Sequence, residues 1–227
     1  MNRRQFIEFA CVLAVGFIMP NSSLKAKEVE KVLQNEDKKG FYVRFYRPLR
    51  PVDPSQWRLK VGGLCRSPRS FSLSDIRKLK KETQVSRMKC VEGWSSKAKW
   101  GGFRPKTLFD AVSPRGDAKF LYFHSADDYT ESISLDDLLK SRVLFVYEMN
   151  DIPLPDIHGG PLRLIVPFKY GYKSVKTIVR LDFVEKESTG YWEGFGYSQD
   201  ATIRKGDDYA LDLNEYRELK KDGEPDY

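Results

Sequence analysis

Residues 88–102 read Met-Lys-Cys-Val-Glu-Gly-Trp-Ser-Ser-Lys-Ala-Lys-Trp-Gly-Gly. The approach to this stretch, Val85-Ser86-Arg87-Met88-Lys89, alternates apolar and polar with a period of two, the pattern of a strand. Gly93, Gly101 and Gly102 then predict a break, with backbone free to approach closely, and Trp94 and Trp100 flank it. Cys90 therefore stands at a strand end, on a loop walled by indoles. A thiolate is a soft ligand, and such a loop is a rigid mount for a metal or for nucleophilic chemistry. Two plainer readings stand beside it, a buried structural cysteine and a disulfide with Cys65. A lone cysteine does not choose among them.

Outward from this stretch, short strands dominate. Trp57 to Val61 alternates and stops at Gly62-Gly63. Lys119–His124, Thr130–Leu135, Leu144–Glu148, Leu162–Val166 and Thr177–Val184 are further β-prone runs, and Phe41–Tyr46 is aromatic and extended before its prolines. Ser72, three residues before Asp75, starts a helix expected to run through Ile76 and Leu79 to about Lys81. Brief helices are also expected at Thr107–Val112 and Asp136–Lys140. The pattern predicts a mixed α+β domain and not a doubly wound sheet. The charged tail, Lys205 to Tyr227, is expected to drape the surface.

A second segment carries chemistry. Asn150-Asp-Ile-Pro-Leu-Pro155 leads to His158-Gly-Gly-Pro-Leu-Arg163, and then to Lys169-Tyr-Gly171-Tyr172-Lys173-Ser-Val-Lys176. Glycine loops supply backbone amides, while Arg and Lys supply charge, and together these can cradle a phosphate. An ordinary turn with solvated bases is the alternative.

Cys-Val-Glu-Gly-Trp-Ser with Trp100-Gly101-Gly102, followed by Tyr147-Glu148-Met149-Asn150, Leu154-Pro155 and His158-Gly-x-Pro-x-Arg163, resembles the sulfite oxidase family of molybdopterin oxidoreductases. The likeness runs from about Phe41 to Tyr197 and implies that family's molybdopterin-binding fold, with one molybdenum and one molybdopterin. By resemblance, Cys90 is the protein ligand to molybdenum. His158, Arg163 and the Gly171-Tyr172-Lys173 stretch hold the pterin and its phosphate. Ser125 matches a cofactor contact, with a hydroxyl capping the turn at Ala126-Asp127-Asp128 as the other reading. Tyr129 matches an active-site tyrosine, and Arg44, in Phe41-Tyr42-Val43-Arg44, matches an arginine that faces the substrate. His124 gains no role from the likeness and reads as structural.

Two departures bear on the substrate. Phe45-Tyr46 stands where the family usually has Asn-His. Sulfite oxidases continue Cys-Ala-Gly-Asn-Arg-Arg after the cysteine, whereas Cys90-Val91-Glu92-Gly93-Trp94-Ser95 is closer to the Cys-Val-Glu-Ala-Trp-Ser of the periplasmic methionine-sulfoxide reductase branch. Glu92 thus falls near the metal by resemblance, its alternative being a surface carboxylate paired with Lys97 or Lys99. The expected activity is two-electron oxygen-atom transfer reducing a sulfoxide or similar neutral oxygen donor. The alternative is a sulfite dehydrogenase that passes electrons to a cytochrome. A binding module that kept the fold and a thiol enzyme built on Cys90 are rivals of other classes.

Arg3-Arg4-Gln5-Phe6 followed by the apolar run Phe9–Met19 reads as an export signal over residues 1–26, shorter than the ~20 residues of a spanning helix, with an uncleaved anchor as the rival reading. Arg-Arg-x-Phe resembles a twin-arginine signal for folded cargo, which predicts a periplasmic enzyme over residues 27–227. The 227 residues carry 39 basic and 32 acidic side chains, a net +7 spread along the chain with no basic stripe, which argues against nucleic-acid binding. Neither the family's dimerisation domain nor a haem motif is visible in the sequence. A monomer is expected, served by a separate electron-transfer protein, a cytochrome or a membrane haem subunit.

Overall fold

In the computed structural model, which describes residues 40–44, 47 and 50–227, the hub is the ten-residue strand β4, Trp94–Phe103. The export signal, residues 27–39 and Phe45-Tyr46 lie outside the described residues. One edge of β4 pairs antiparallel with β3, Glu82–Lys89, along its whole length. Its other edge is shared. Trp94 and Ser95 pair in parallel with β11, Gly206–Ala210, while Trp100 to Phe103 pair with β7, Leu144–Met149. Strands β8 (Ile152–Pro153), β9 (Arg163–Ile165) and β12 (Glu215–Leu219) complete this seven-stranded sheet. A five-stranded sheet has the order β2-β1-β10-β5-β6, from Arg69–Ser72, Arg58–Gly63, Ile178–Val184, Phe120–Ser125 and Thr130–Ser134. Only the β1–β10 pair is parallel in it, so the α+β reading holds.

Side-chain alternation explains where the cores sit. On β7, Phe145 and Tyr147 join Leu59, Phe123, Leu181 and Phe183 of the smaller sheet in the main core. Leu144 and Val146 point the other way, into a second cluster with Trp94, Ala98 and Trp100. Cys90, Met88 and Tyr42 pack at the edge of that second cluster. Helix α1, Leu73–Arg77, has the expected Ser72–Asp75 capping box but stops short of Lys81. The other helices are α2, Pro105–Val112, and α3, Leu135–Leu138.

Two expectations are corrected. Gly101 and Gly102 do not end the strand. They sit at a bulge inside β4, and a Cβ on Gly102 would stand 1.9 Å from the Phe145 carbonyl oxygen. Glycine is needed there because two backbones meet, not because the chain turns. The tail does not merely drape the surface either: β11 and β12 form a hairpin that extends the sheet beside the cysteine turn. Asp208 on β11 is buried and receives Lys89 Nζ at 2.8 Å together with the hydroxyls of Ser95 and Tyr227. This network fastens the hairpin to the residue preceding Cys90.

Candidate active site around Cys90

Cys90 ends β3 and opens a tight hairpin. Its N–H donates to the Trp94 carbonyl at 2.8 Å, and Gly93 N–H returns to the Cys90 carbonyl at 3.3 Å. Gly93 closes the turn at φ 89°, a left-handed conformation that glycine adopts without strain. Cys65 and Cys90 are both free thiols, which removes the disulfide reading. Burial, then Glu92, pushes the Cys90 thiol up to about 12. Such a thiol is protonated at neutral pH and is a poor nucleophile by itself, which weighs against a thiol enzyme. A coordinated metal reverses this and removes the proton outright.

Glu92 is held on the site side and not by the lysines of β4. The Arg44 guanidinium Nε lies 3.0 Å from it, and the Trp94 indole N–H donates to it at 2.8 Å. Lys99 pairs with Asp151 instead. The Arg44 guanidinium sits over the Tyr42 ring, which meets Trp94 edge-on. Cation, carboxylate and aromatic wall thus form one knot at the hairpin tip.

Behind Cys90 lies a buried cation. Arg163 on β9 is 2% exposed, and its guanidinium donates to the carbonyls of His158 at 2.8 Å and Ser174 at 3.1 Å, with Met88 Sδ at 3.4 Å. Among the described residues it has no carboxylate partner. Burial lowers its pKa to about 10, the signature of a charge whose desolvation is uncompensated. Lys176 is partly buried nearby, its ammonium donating to the Arg44 carbonyl at 2.8 Å. Burial first, then Arg163, pull Lys176 down to about 7. His158 is lowered to about 4 by burial and the same two cations, so it is neutral at physiological pH. Its ring meets Phe41 edge-on. Two cations pressed together without an acid to match Arg163 make a site that fits an anion.

Lys173 does not belong to that site. Its side chain is 2% exposed, and its ammonium binds Glu131 Oε1 at 2.8 Å and Glu193 Oε1. An ammonium already held by two buried carboxylates is not available to a phosphate, so the expected role of Lys173 is corrected. Lys176, three residues on, faces Arg163 and Cys90 and was missed. The signal lay in the same run, which offered several bases and no means to rank their facing. Gly171 does lie at the site, since a Cβ on it would be 3.5 Å from the Lys89 carbonyl. The Tyr172 carbonyl accepts the Tyr129 hydroxyl at 2.8 Å, and its own hydroxyl donates to the Ser198 carbonyl at 2.5 Å. Ser125 donates to the Lys176 carbonyl at 2.6 Å, so its hydroxyl sets the backbone that carries Lys176 and does not cap its own turn. His124 pairs with Asp182 at 3.0 Å within the smaller sheet. A cavity of about 430 Å³ lies elsewhere, lined by Arg87, Arg142, Glu224 and Tyr227, and contains none of these residues.

One free thiol at a hairpin tip and a buried guanidinium with no acid among the described residues make a site able to take an anionic group beside a single cysteine. The chain belongs to the family described as the oxidoreductase molybdopterin binding domain, which matches residues 46–192. It is 35% identical over 155 residues to the protein-methionine-sulfoxide reductase catalytic subunit MsrP of Ralstonia nicotianae, covering 61% of this chain and 47% of that one. The Campylobacter jejuni MsrP is 30% identical over 160 residues, covering 63% and 54%. This chain therefore spans about half the length of these curated relatives. The solved structure of sulfane dehydrogenase SoxCD from Paracoccus pantotrophus superposes with a TM-score of 0.61 at 18% identity, over 78% of this chain and 48% of that one. The fold is of the sulfite oxidase type, and the protein is a molybdopterin oxidoreductase. Its cofactor is Mo-molybdopterin. The residues present fit that group. Cys90 offers one thiolate, and Arg163 lacks the anion its burial calls for. Among the described residues, no cluster of three or more His, Cys, Asp or Glu could cage a metal unaided.

Proposed function

We propose that this protein reduces a sulfoxide, presented as a small molecule or as a methionine sulfoxide side chain, with electrons from a separate redox protein. When bound, the cofactor supplies two-electron oxygen-atom transfer, and the protein supplies ligation, orientation and charge. Cys90 is the thiolate ligand in this reading. Arg163 and Lys176 hold the anionic end of the pterin, with neutral His158 and the Gly171 turn beside them. Tyr129, fixed on the Tyr172 carbonyl, is the hydroxyl nearest in kind to a proton donor.

The knot of Arg44, Glu92 and Trp94 carries the choice of substrate. The guanidinium that would grip sulfite is matched by a carboxylate of opposite charge, so the mouth of the site is near neutral. A dianion entering it would lose solvation without gaining a net positive partner, at a cost of a few kcal/mol, roughly a hundredfold in affinity. Trp94 and Tyr42 instead offer an apolar wall to a thioether-like side chain. The test is kcat/KM for methionine sulfoxide with a dye donor against kcat/KM for sulfite with a dye acceptor. The sulfoxide is expected to win by far. Efficient sulfite turnover that collapses in Arg44→Ala would restore sulfite dehydrogenase as the function. We also propose export to the periplasm by the twin-arginine route, supported by Arg3-Arg4-Gln5-Phe6. Changing Arg3 and Arg4 to lysine should trap precursor in the cytoplasm, and unimpeded export of that variant would refute the route.

A further inference from the structure

Around Lys173 the charges do not balance. Glu131 on β6 and Glu193 both bind its ammonium, and their side chains are 0% and 4% exposed. Glu131 Oε1 also accepts the Ser132 N–H at 2.7 Å. The second oxygen of each carboxylate, Glu131 Oε2 and Glu193 Oε2, is buried with no hydrogen-bond partner. Gly190 roofs the pair. A Cβ there would be 2.3 Å from Glu193 Oε2 and 2.6 Å from Glu131 Oε1, so both carboxylates crowd one spot. Two acids and one ammonium, all buried, leave one negative charge unmatched, and a proton is the cheapest relief. The other ionisable groups facing the pair are the Tyr129 hydroxyl, against which Glu131 lies, and Tyr172, with Tyr191 packed on the Tyr129 ring.

We propose that Glu131 and Glu193 share one proton across Lys173, and that Tyr129 passes it to the Cys90 site, making the cluster the proton store for reduction there. The proposal rests on the oxidoreductase reading above. Reducing a sulfoxide to a sulfide takes two electrons from the redox partner and two protons, breaks the S–O bond and releases water. One proton comes from the pair, through the Tyr129 hydroxyl, and the second from solvent, after which solvent reprotonates the pair. Burial raises Glu131 to about 7, against the pull of Lys173, so the acid both gives and regains a proton near neutrality. Burial, then Glu131 and Glu193, push Tyr129 upward, so it stays a neutral hydroxyl that accepts one hydrogen as it gives another. Its resting acceptor, the Tyr172 carbonyl, belongs to the turn that Gly171 seats against Met88 and Lys89, the two residues before Cys90.

The test uses the cofactor-loaded full chain, its Glu131→Gln form and Tyr129→Phe. Infrared difference spectra on dye reduction, without substrate, should show a buried carboxylic-acid band change in wild type. The band should be absent in Glu131→Gln. In Tyr129→Phe it should vanish from the difference spectrum, while the absolute spectrum keeps the acid band. Wild-type turnover should decline as pH rises through about 7, as the stored proton is lost. Glu131→Gln should be slower by roughly 100-fold and flat in pH, at unchanged molybdenum and pterin content. No acid band at pH 6 in wild type, or a wild-type pH profile in Glu131→Gln, overturns the proposal. The band and its response without sulfoxide turnover would refute the substrate and keep the store. Turnover without the band would do the reverse. Should Glu131→Gln fail to fold, Tyr129→Phe decides alone, because a reduction-sensitive band in that variant excludes the relay.

Discussion

Lys173 and Lys176 lie three residues apart in one glycine-rich run, and the fold gives them opposite duties that a pair of substitutions separates. Lys173→Met deletes the only ammonium bound to Glu131 and Glu193 among the described residues and leaves two buried carboxylates facing each other. Removing one partner of a buried ion pair costs about 3–5 kcal/mol. At roughly 2–4 °C per kcal/mol for a chain of this size, Tm should fall by about 6–20 °C. The pH dependence has a definite sign. Glu131 already has a raised pKa, and losing Lys173 raises it further. A carboxylate with a raised folded-state pKa lends stability at low pH and loses it as pH climbs through that value. The deficit should therefore be wider at pH 8 than at pH 6. Lys176→Met removes a cation that burial and Arg163 already disfavour, so the cofactor-free protein should lose less than about 1 kcal/mol. The same change deletes a charge-assisted bond to the cofactor, about 1.5–3 kcal/mol, or roughly ten- to 150-fold in retention. Thermal unfolding at the two pH values and pterin content after dilution are the measurements. A Lys173→Met protein that melts like wild type but sheds its pterin, beside a Lys176→Met protein that keeps it, would return the phosphate to Lys173.

Cys90→Ser should abolish turnover and alter any Mo(V) resonance, while Cys65→Ser, in the main core beside Pro114, should change neither. An active Cys90→Ser enzyme would end the ligand assignment. Gly102→Ala should lower Tm sharply or prevent folding, because its methyl would meet the Phe145 carbonyl at 1.9 Å and part β4 from β7. A wild-type melt would show that the bulge has room.

What the sequence made legible depended on how local the cause was. The strand before Cys90, the apolar run of β7 and the Ser72–Asp75 cap are each determined within a few residues, and each was read close to where it lies. The β11–β12 hairpin was not, since Gly-Asp-Asp-Tyr-Ala and Glu-Tyr-Arg-Glu-Leu carry hardly any strand pattern. They become strands because Asp208 docks on Lys89, Ser95 and Tyr227, partners that only the folded chain assembles. Gly101-Gly102 misled for a different reason. Glycine marks both a turn and a close backbone approach, and the partner that decides is Phe145, on another strand. The bases of the glycine loop follow the same logic. Their type pointed to an anion, but their facing is set by remote acids. Glu131 and Glu193 reach Lys173 and neutralise it. Among the described residues no acid reaches Arg163, and this is what leaves Arg163, rather than its neighbour in the motif, as the buried charge open to an anion.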